Sequence, residues 1–263
     1  MYRNSNTCYA MEESSPLTAK LPASLDDVKI RSIPPSAFYI SDFISTEEEQ
    51  ALLTKITTAP KPRWKQLSRR RLQIWPSDLS KKNTLLDSPL PEWLVNPTIS
   101  RLISCPVSNA TRDHIFSQSP HKAPNHVLIN EYVQGQGIMA HKDGSAYHPV
   151  VCTVSLGASI CLDIYGTNED GLRETESRWR ILQEPRSLLI TTGQMYSEYL
   201  HGIADLTEDT NLGPTTVANW ELLRSPEAFK DGRNERQTRI SLTYRDVLKV
   251  SKLGGQLGIF STY

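Results

Sequence analysis

Two kinds of hydrophobic pattern divide the chain. The first lies in AFYISDFISTEEEQALLTKI, residues 37–56, where an apolar run is followed by a helical pattern. Ser45 followed by Glu48 is typical of a capping box, and Leu52, Leu53 and Ile56 form an apolar stripe with helical spacing. The pattern predicts a short strand, a turn and a helix.

Beyond residue 125 the pattern changes to short runs rich in Val, Ile, Thr and Tyr, separated by Gly, Asn and Pro. The predicted strands are NHVLINEYV, VVCTVSLG, ASICLDIYG, WRILQEPRSLLITTG, TVANW and RISLTYRDV. A second helix is predicted before them, over residues 90–104. Helices followed by many short strands indicate an α+β protein, mainly β, with flanking helices against a sandwich or jelly roll. The polar segments 166–178 and 204–236 are predicted to be long loops.

The length fits one large domain or two small ones, and the composition indicates a loop-rich globular protein. The chain has 263 residues, of which 29 are basic and 29 acidic. We predict a weakly ordered N-terminal leader over residues 1–30 and a single domain over residues 31–263. Zero net charge excludes a strongly basic nucleic-acid coat protein but is compatible with a local basic groove.

No feature of the sequence indicates secretion or membrane insertion. The N-terminus lacks an apolar signal region, and no apolar run approaches the roughly 18 residues of a membrane span. Four cysteines form no CxxC pair, and Cys152 and Cys161 lie in strand-like runs, which predicts buried thiols in a reducing compartment. We therefore expect a monomer in the cytoplasm, the nucleus or both, without a membrane partner.

The segment MAHKD contains a candidate metal motif. His141 and Asp143 project to the same side of an extended strand and can bind one ion, although this short motif also occurs in solvated loops. Among the other histidines, His201 has the best context, because SEYLHGI follows the apolar run SLLITTG. Two histidines and one carboxylate leave three adjacent coordination positions open, as in non-haem Fe(II) oxygenases. Zinc is the competing ion, because three protein ligands also suit a catalytic zinc site.

The strand RISLTYR alternates strictly. Arg239, Ser241, Thr243 and Arg245 are predicted to face one way, and Ile240, Leu242 and Tyr244 the other. In NHVLINEYV, Asn130 and Tyr132 share a face and both can donate hydrogen bonds. These polar faces either lie in solvent or line a pocket that suits a small dicarboxylate.

Taken together, NEYVQGQGIMAHKDG, SLGASICLDIY, SEYLHGI and RISLTYR resemble the AlkB-like Fe(II)/2-oxoglutarate dioxygenase family. The resemblance covers roughly residues 35–250 and includes the order and spacing N-x-Y, H-x-D, a distant H and R-x5-R. The amino-acid sequence around these motifs is most similar to that of the AlkB homologue six subfamily. The resemblance implies a double-stranded β-helix, or jelly roll, and an enzyme that uses Fe(II), 2-oxoglutarate and O2.

The resemblance also implies two sets of site residues. The metal ligands, which are the catalytic set, would be His141, Asp143 and His201. The cosubstrate pocket would be formed by Asn130, Tyr132, Arg239 and Arg245, with Arg239 paired to the distal carboxylate of 2-oxoglutarate.

The substrate implied by the resemblance is an alkylated base in DNA or RNA, which the enzyme demethylates oxidatively. The basic, tryptophan-containing segment 60–82 is a candidate substrate lid, because cations suit phosphates and aromatic rings suit bases. Its candidate contacts are Arg69, Arg70, Arg71 and Trp75. These residues could equally be a solvated edge and a core tryptophan. A protein or small-molecule substrate, a non-catalytic reader of modified RNA and a zinc hydrolase remain as alternatives.

Overall fold

The computed structural model describes residues 18–34 and 36–251, which contain fifteen strands. In chain order they are β1 (Ala37–Ile40), β2 (Lys65–Leu67), β3 (Arg70–Trp75), β4 (Thr84–Leu86), β5 (His126–Tyr132), β6 (Ile138–His141), β7 (Val150–Leu156), β8 (Ile160–Tyr165), β9 (Trp179–Gln183), β10 (Leu188–Thr192), β11 (Leu200–Ile203), β12 (Glu208–Asp209), β13 (Asn234–Glu235), β14 (Arg239–Arg245) and β15 (Lys249–Ser251). The α-helices are α1 (Thr46–Thr57), α2 (Glu92–Leu94), α3 (Ser100–Ser104) and α4 (Gly193–Ser197).

The strands form two main antiparallel sheets. A seven-stranded sheet has the order β1-β10-β7-β14-β5-β3-β2, and a four-stranded sheet has the order β6-β11-β8-β9. Two small pairs, β12 with β13 and β15 with β4, lie outside these sheets. The mainly β architecture with flanking helices agrees with the predicted jelly roll.

Side-chain alternation gives the seven-stranded sheet two different faces. On β14, Ile240, Leu242 and Tyr244 belong to a buried cluster that also contains Leu52 and Ile56 of α1. The alternate residues of β14, from Arg239 to Arg245, line a cavity on the other face. All seven residues of β14 are buried, so the predicted alternation is confirmed and the solvent-exposed alternative is not. A fully buried leucine of this kind contributes about 1.5–3 kcal/mol.

The helix α1 begins as the sequence predicts. The Ser45 hydroxyl accepts a hydrogen bond from the Glu48 backbone N–H, and the Glu48 carboxylate accepts one from the Ser45 N–H. Arg101 of α3 donates two hydrogen bonds to the same Glu48 carboxylate, which ties the two helices together. The predicted helix over residues 90–104 is correct only in part, because a non-helical residue, Asn96, precedes Pro97 and divides it into α2 and α3.

Several segments outside the main strands make specific contacts with the rest of the domain. Residues 18–30, the described part of the predicted leader, pack on the domain through Leu25 and Ile30, and residues 1–17 lie outside the described residues. The predicted strand TVANW is wrong: Asn219 bonds both backbone groups of Leu182 through its side-chain amide and precedes a 3-10 turn. Within segment 204–236, Arg236 and Asp209 form a buried ion pair.

The structure agrees with the prediction of buried thiols, because Cys152 and Cys161 are buried free cysteines. Of the described helices, the longest is α1, with 12 residues. Among the described residues, no helix combines the length and apolar character needed to span a bilayer.

Candidate active site

A cavity of about 480 Å³ lies between the two main sheets. Along paired strands β14 and β5 it runs from Arg239, opposite Tyr132, to Arg245, opposite His126. We call these the Arg239 end and the Arg245 end. The Arg239 end is enclosed by buried side chains, whereas Asn83 and Ser145, which line the cavity near the Arg245 end, are exposed to solvent. The cavity therefore has a closed end and an open end.

The structure brings the three predicted metal ligands together. His141 on β6 and His201 on β11 are directly paired residues of neighbouring antiparallel strands, and their ring centroids lie 4.5 Å apart. Asp143 follows β6 by two residues, and its Oδ2 is 3.8 Å from His201 Nε2. Two imidazoles and one carboxylate thus face the cavity from one edge of the four-stranded sheet.

The carboxylate of this trio also contacts the opposite sheet. Arg245 Nη2 lies 2.8 Å from Asp143 Oδ1.

The candidate ligands are not yet at coordination distance from one another. Within the described residues, no group of three His, Cys, Asp or Glu side chains is placed closely enough to be recognised as a metal site. Neighbouring ligands of an octahedral ion are roughly 3 Å apart. Asp143 Oδ2 and His201 Nε2 therefore need to approach by less than an ångström, and the donor set itself fits Fe(II).

The hydrogen bonding of one histidine and the burial of the other suit metal binding. The backbone carbonyl of Met139 lies 3.0 Å from His141 Nδ1, and because a carbonyl only accepts, Nδ1 is the donor and Nε2 is the nitrogen left for a metal. Burial lowers the pKa of His201 to about 4, so this ring is neutral at pH 7. Neutral imidazoles are the form that binds metal ions.

The closed end of the cavity contains a buried, unneutralised cation. Arg239 is 2% exposed and forms no ion pair with a carboxylate among the described residues, and its Nε has no hydrogen-bond partner there. Its Nη2 donates to Ser155 Oγ at 2.8 Å and to Gln183 Oε1 at 3.1 Å. Burial lowers the pKa of Arg239 to about 10, so it stays charged at neutral pH. A buried charge without a counter-ion is costly, which makes this end a candidate anion site.

The remaining predicted cosubstrate residues also line the cavity. Tyr132 lies beneath Arg239, with its ring centroid 5.8 Å from the guanidinium carbon. The Asn130 side-chain oxygen accepts a hydrogen bond from Arg70 Nε at 3.0 Å. The sequence pattern did not single out Ser155 or Gln183, because the sequence alone does not show which groups a polar residue in an apolar strand contacts.

The predicted lid segment forms a hairpin, β2–β3, at the edge of the seven-stranded sheet. Arg70 at the start of β3 lines the cavity. Arg69, in the turn, pairs with Asp205, which follows β11, and remains exposed. The hairpin turn is therefore joined to the strand that bears His201.

Arg71 and Trp75 lie on the face of β3 turned away from the cavity. Arg71 donates two hydrogen bonds to Glu131, at 2.6 and 2.8 Å, and stacks on Trp64 at 4.1 Å. The Trp75 indole donates to Gln73, and Arg63 stacks on its ring at 4.0 Å. In the pairs Arg71–Trp64 and Arg63–Trp75, the guanidinium stacks on the indole ring, on the side of the sheet that carries the helices.

Comparison with known proteins identifies the family. Residues 36–245 match the model of the 2OG-Fe(II) oxygenase superfamily. The chain is 38% identical over 245 residues to a Danio rerio protein named "Probable RNA/DNA demethylase ALKBH6", with 91% of this chain and 97% of that protein covered. It is also 28% identical to the Xenopus tropicalis tRNA (carboxymethyluridine(34)-5-O)-methyltransferase alkbh8, of which it covers 32%.

Structural comparison supports the same conclusion for the fold. The solved structure of OsALKBH1 superimposes with a TM-score of 0.50 at 15% identity, covering 81% of this chain and 99% of that one. The predicted jelly roll is thereby confirmed, and the Danio rerio relative confirms the resemblance to AlkB-like proteins. From the family model and the Danio rerio relative together, the chain belongs to the 2OG-Fe(II) oxygenase superfamily.

Proposed function

We propose that His141, Asp143 and His201 hold the Fe(II) of this oxygenase and that Arg239 binds the distal carboxylate of 2-oxoglutarate. Fe(II), 2-oxoglutarate and O2 are the cofactors of the superfamily, as predicted from the sequence. The proposal is supported by one observation above all: a buried arginine that forms no ion pair with any described residue lies at the closed end of the cavity that the three candidate ligands face.

The residues around the proposed metal position hold its ligands in place. Arg245 bonds one carboxylate oxygen of Asp143, which leaves the other oxygen for the metal. The Tyr196 hydroxyl donates to the Gly144 carbonyl at 2.8 Å, which fixes the residue after Asp143. When bound there, Fe(II) with 2-oxoglutarate and O2 supplies the oxidation of a substrate C–H bond, and 2-oxoglutarate becomes succinate and CO2.

The proposed reaction is oxidative demethylation of alkylated DNA or RNA. Hydroxylation of an N-methyl group gives a hemiaminal, which breaks its C–N bond to release formaldehyde and the free amine. The Danio rerio relative, which aligns along 97% of its length, is named as a probable RNA/DNA demethylase. The substrate would enter the Arg245 end, where Leu79, Asn83, Leu128 and Tyr147 line the cavity.

Charge around the open end favours a polyanion. Lys82 directly precedes the cavity-lining Asn83, and Lys142 lies between His141 and Asp143. Lys81, Lys82 and Lys142 are exposed and form no ion pair with any described residue. Phosphates are bound by such unpaired cations, and release of counter-ions then makes the affinity depend on salt.

Only two of the four candidate substrate contacts, Arg69 and Arg70, are kept in this proposal. Arg70 lines the cavity, and Arg69 is exposed in the adjacent turn of the hairpin, so both are retained as candidate phosphate contacts. Arg71 and Trp75 face the helices, and we propose that they stabilise the hairpin instead of touching substrate.

A second candidate is the same oxidation on a protein or small molecule. It is favoured by the lid itself, since its tryptophans are stacked on arginines and leave no free aromatic platform for a base. Formaldehyde release separates the two candidates. Single-stranded oligonucleotides with N-methylated adenine or cytosine and N-methylated lysine peptides are each incubated with Fe(II) and 2-oxoglutarate. We expect formaldehyde equimolar with succinate from oligonucleotides only; release from peptides alone overturns the nucleic-acid proposal.

A further inference from the structure

A buried glutamine lies against the arginine of the closed end. Gln183, the last residue of β9, is 1% exposed and reaches from the four-stranded sheet to Arg239 on the seven-stranded sheet. Its Oε1 accepts from Arg239 Nη2 at 3.1 Å and from Ser155 Oγ at 3.3 Å. These two hydrogen bonds hold the amide in one orientation, with the oxygen toward the arginine.

The other half of this amide has no partner. Gln183 lines the cavity, and among residues 18–34 and 36–251 no acceptor takes a hydrogen bond from its Nε2. Arg239 Nε beside it is also unpartnered. Buried polar groups in folded proteins are nearly always hydrogen-bonded, so the buried unpaired Nε of Arg239, next to a cavity-lining amide with a free donor, indicates a bound acceptor. A carboxylate fits, because it offers two oxygens and about four lone-pair positions.

We infer that the Gln183 amide donates a hydrogen bond to the distal carboxylate of 2-oxoglutarate while its oxygen orients Arg239. This inference rests on the proposed binding of that carboxylate by Arg239. Gln183 would then help the protein to select a five-carbon diacid over a 2-oxo acid with no second carboxylate. The selection requires both a charge and a fixed neutral donor, because the arginine alone does not fill the lone pairs of two oxygens.

Binding of two ligands tests this role without turnover. Mn(II)-loaded protein is titrated calorimetrically, under anaerobic conditions, with 2-oxoglutarate and with pyruvate, which has the same 2-oxo acid group but no distal carboxylate. In Gln183→Met, which keeps the length and approximate volume, we expect 2-oxoglutarate to bind about 10- to 100-fold more weakly. The affinity for pyruvate should change by less than about twofold.

Two further variants distinguish donation from orientation. Ser155→Ala removes one partner of Arg239 but leaves the amide, and we expect a loss of less than about threefold for 2-oxoglutarate. Gln183→Glu keeps an acceptor for Arg239 but removes the donor and neutralises the cation, so its loss should exceed that of Gln183→Met. It also provides the test if Gln183→Met does not fold.

Four outcomes would overturn the inference. An unchanged preference for 2-oxoglutarate in both Gln183 variants would make the residue purely structural. Equal weakening of both ligands would indicate a general distortion of the cavity. A loss in Ser155→Ala as large as that in Gln183→Met would mean that orientation of Arg239 is the whole effect. A wild-type protein that does not prefer 2-oxoglutarate over pyruvate would instead refute the assignment of Arg239 itself.

Discussion

Arg245 and Asp143 form an ion pair across the cavity, with Arg245 Nη2 2.8 Å from Asp143 Oδ1. Arg245 ends β14 of the seven-stranded sheet, whereas Asp143 follows β6 of the four-stranded sheet. The ring of Tyr147 packs on the guanidinium of Arg245 at 4.7 Å and restricts its position. The orientation of the proposed metal-binding carboxylate thus depends on an arginine from the opposite sheet.

The first prediction concerns this orientation. In Arg245→Lys the charge remains, but an ammonium cannot reproduce the planar hydrogen-bond geometry of guanidinium. We expect the Mn(II) affinity, measured by electron paramagnetic resonance, to fall about tenfold, as is typical when a partner of a metal ligand is replaced. Arg70→Lys is the matched control, because Arg70 lines the same cavity but bonds Asn130. Equal losses in the two variants would contradict the role of Arg245.

The second prediction concerns the closed end. Arg239→Gln removes the only positive charge that we assign to the distal carboxylate and leaves a carboxylate buried without a counter-charge. We expect 2-oxoglutarate to bind more than about 100-fold more weakly to the Mn(II)-loaded protein in calorimetry. Arg233→Gln, at an exposed pair with Glu208, should leave the affinity unchanged. A loss below about threefold in Arg239→Gln would remove this residue from the site.

A third prediction follows from His126, which is 3% exposed and whose two ring nitrogens have no partner among the described residues. Burial, reinforced by Arg245, lowers its pKa to about 4, whereas an unfolded histidine has a pKa of about 6.5. Above pH 6.5 both states are neutral. Between about pH 6.5 and 4 only the unfolded state takes up the proton, so stability falls as the pH falls.

The size of this loss can be measured in metal-free protein. From pH 7.5 to 5.0 the His126 contribution to the free energy of unfolding should decrease by about 2 kcal/mol. His126→Phe, which keeps a buried ring, should lose that much less than the wild type over the same interval in urea titrations. Identical pH dependence of the two proteins would show that His126 is not held neutral by the fold.

The fourth prediction separates the arginines of the hairpin. Arg71→Gln leaves the Glu131 carboxylate without its bidentate partner and should lower the free energy of unfolding by about 1–2 kcal/mol. Arg70→Gln should instead weaken binding of a methylated single-stranded oligonucleotide.

Replacing Lys81 and Lys82 by Ala should reduce the slope of log affinity against log salt concentration by about 1–2. An unchanged slope would exclude the Lys81–Lys82 turn from the substrate path.

The local periodicity of the chain was sufficient to predict the site-bearing strands. The alternation in RISLTYR separates Ile240 and Leu242, which enter the core, from Arg239 and Arg245, which enter the cavity, because a strand has a period of two. The H-x-D spacing likewise brings His141 and Asp143 to one side. Pairing of His201 with His141 is a long-range contact, and the resemblance to a family supplied it.

Other features depend on contacts that no local pattern encodes. The hairpin β2–β3 was not predicted as strands, and its period of two decides that Arg70 faces the cavity while Arg71 faces the helices. TVANW has strand-like composition, but the Asn219 amide bonds the backbone of Leu182 and holds a turn. Gln183 is identified as a candidate only when Arg239 from another sheet is seen beside it.

The proposed iron site is tested most directly by 2-oxoglutarate-dependent turnover in the ligand variants. Wild-type protein with Fe(II), 2-oxoglutarate and a methylated oligonucleotide should release succinate and formaldehyde in equal amounts. His141→Ala and Asp143→Ala, each shown to be folded, should release neither above background. Undiminished succinate release by both variants would contradict the proposed iron site and the mechanism built on it.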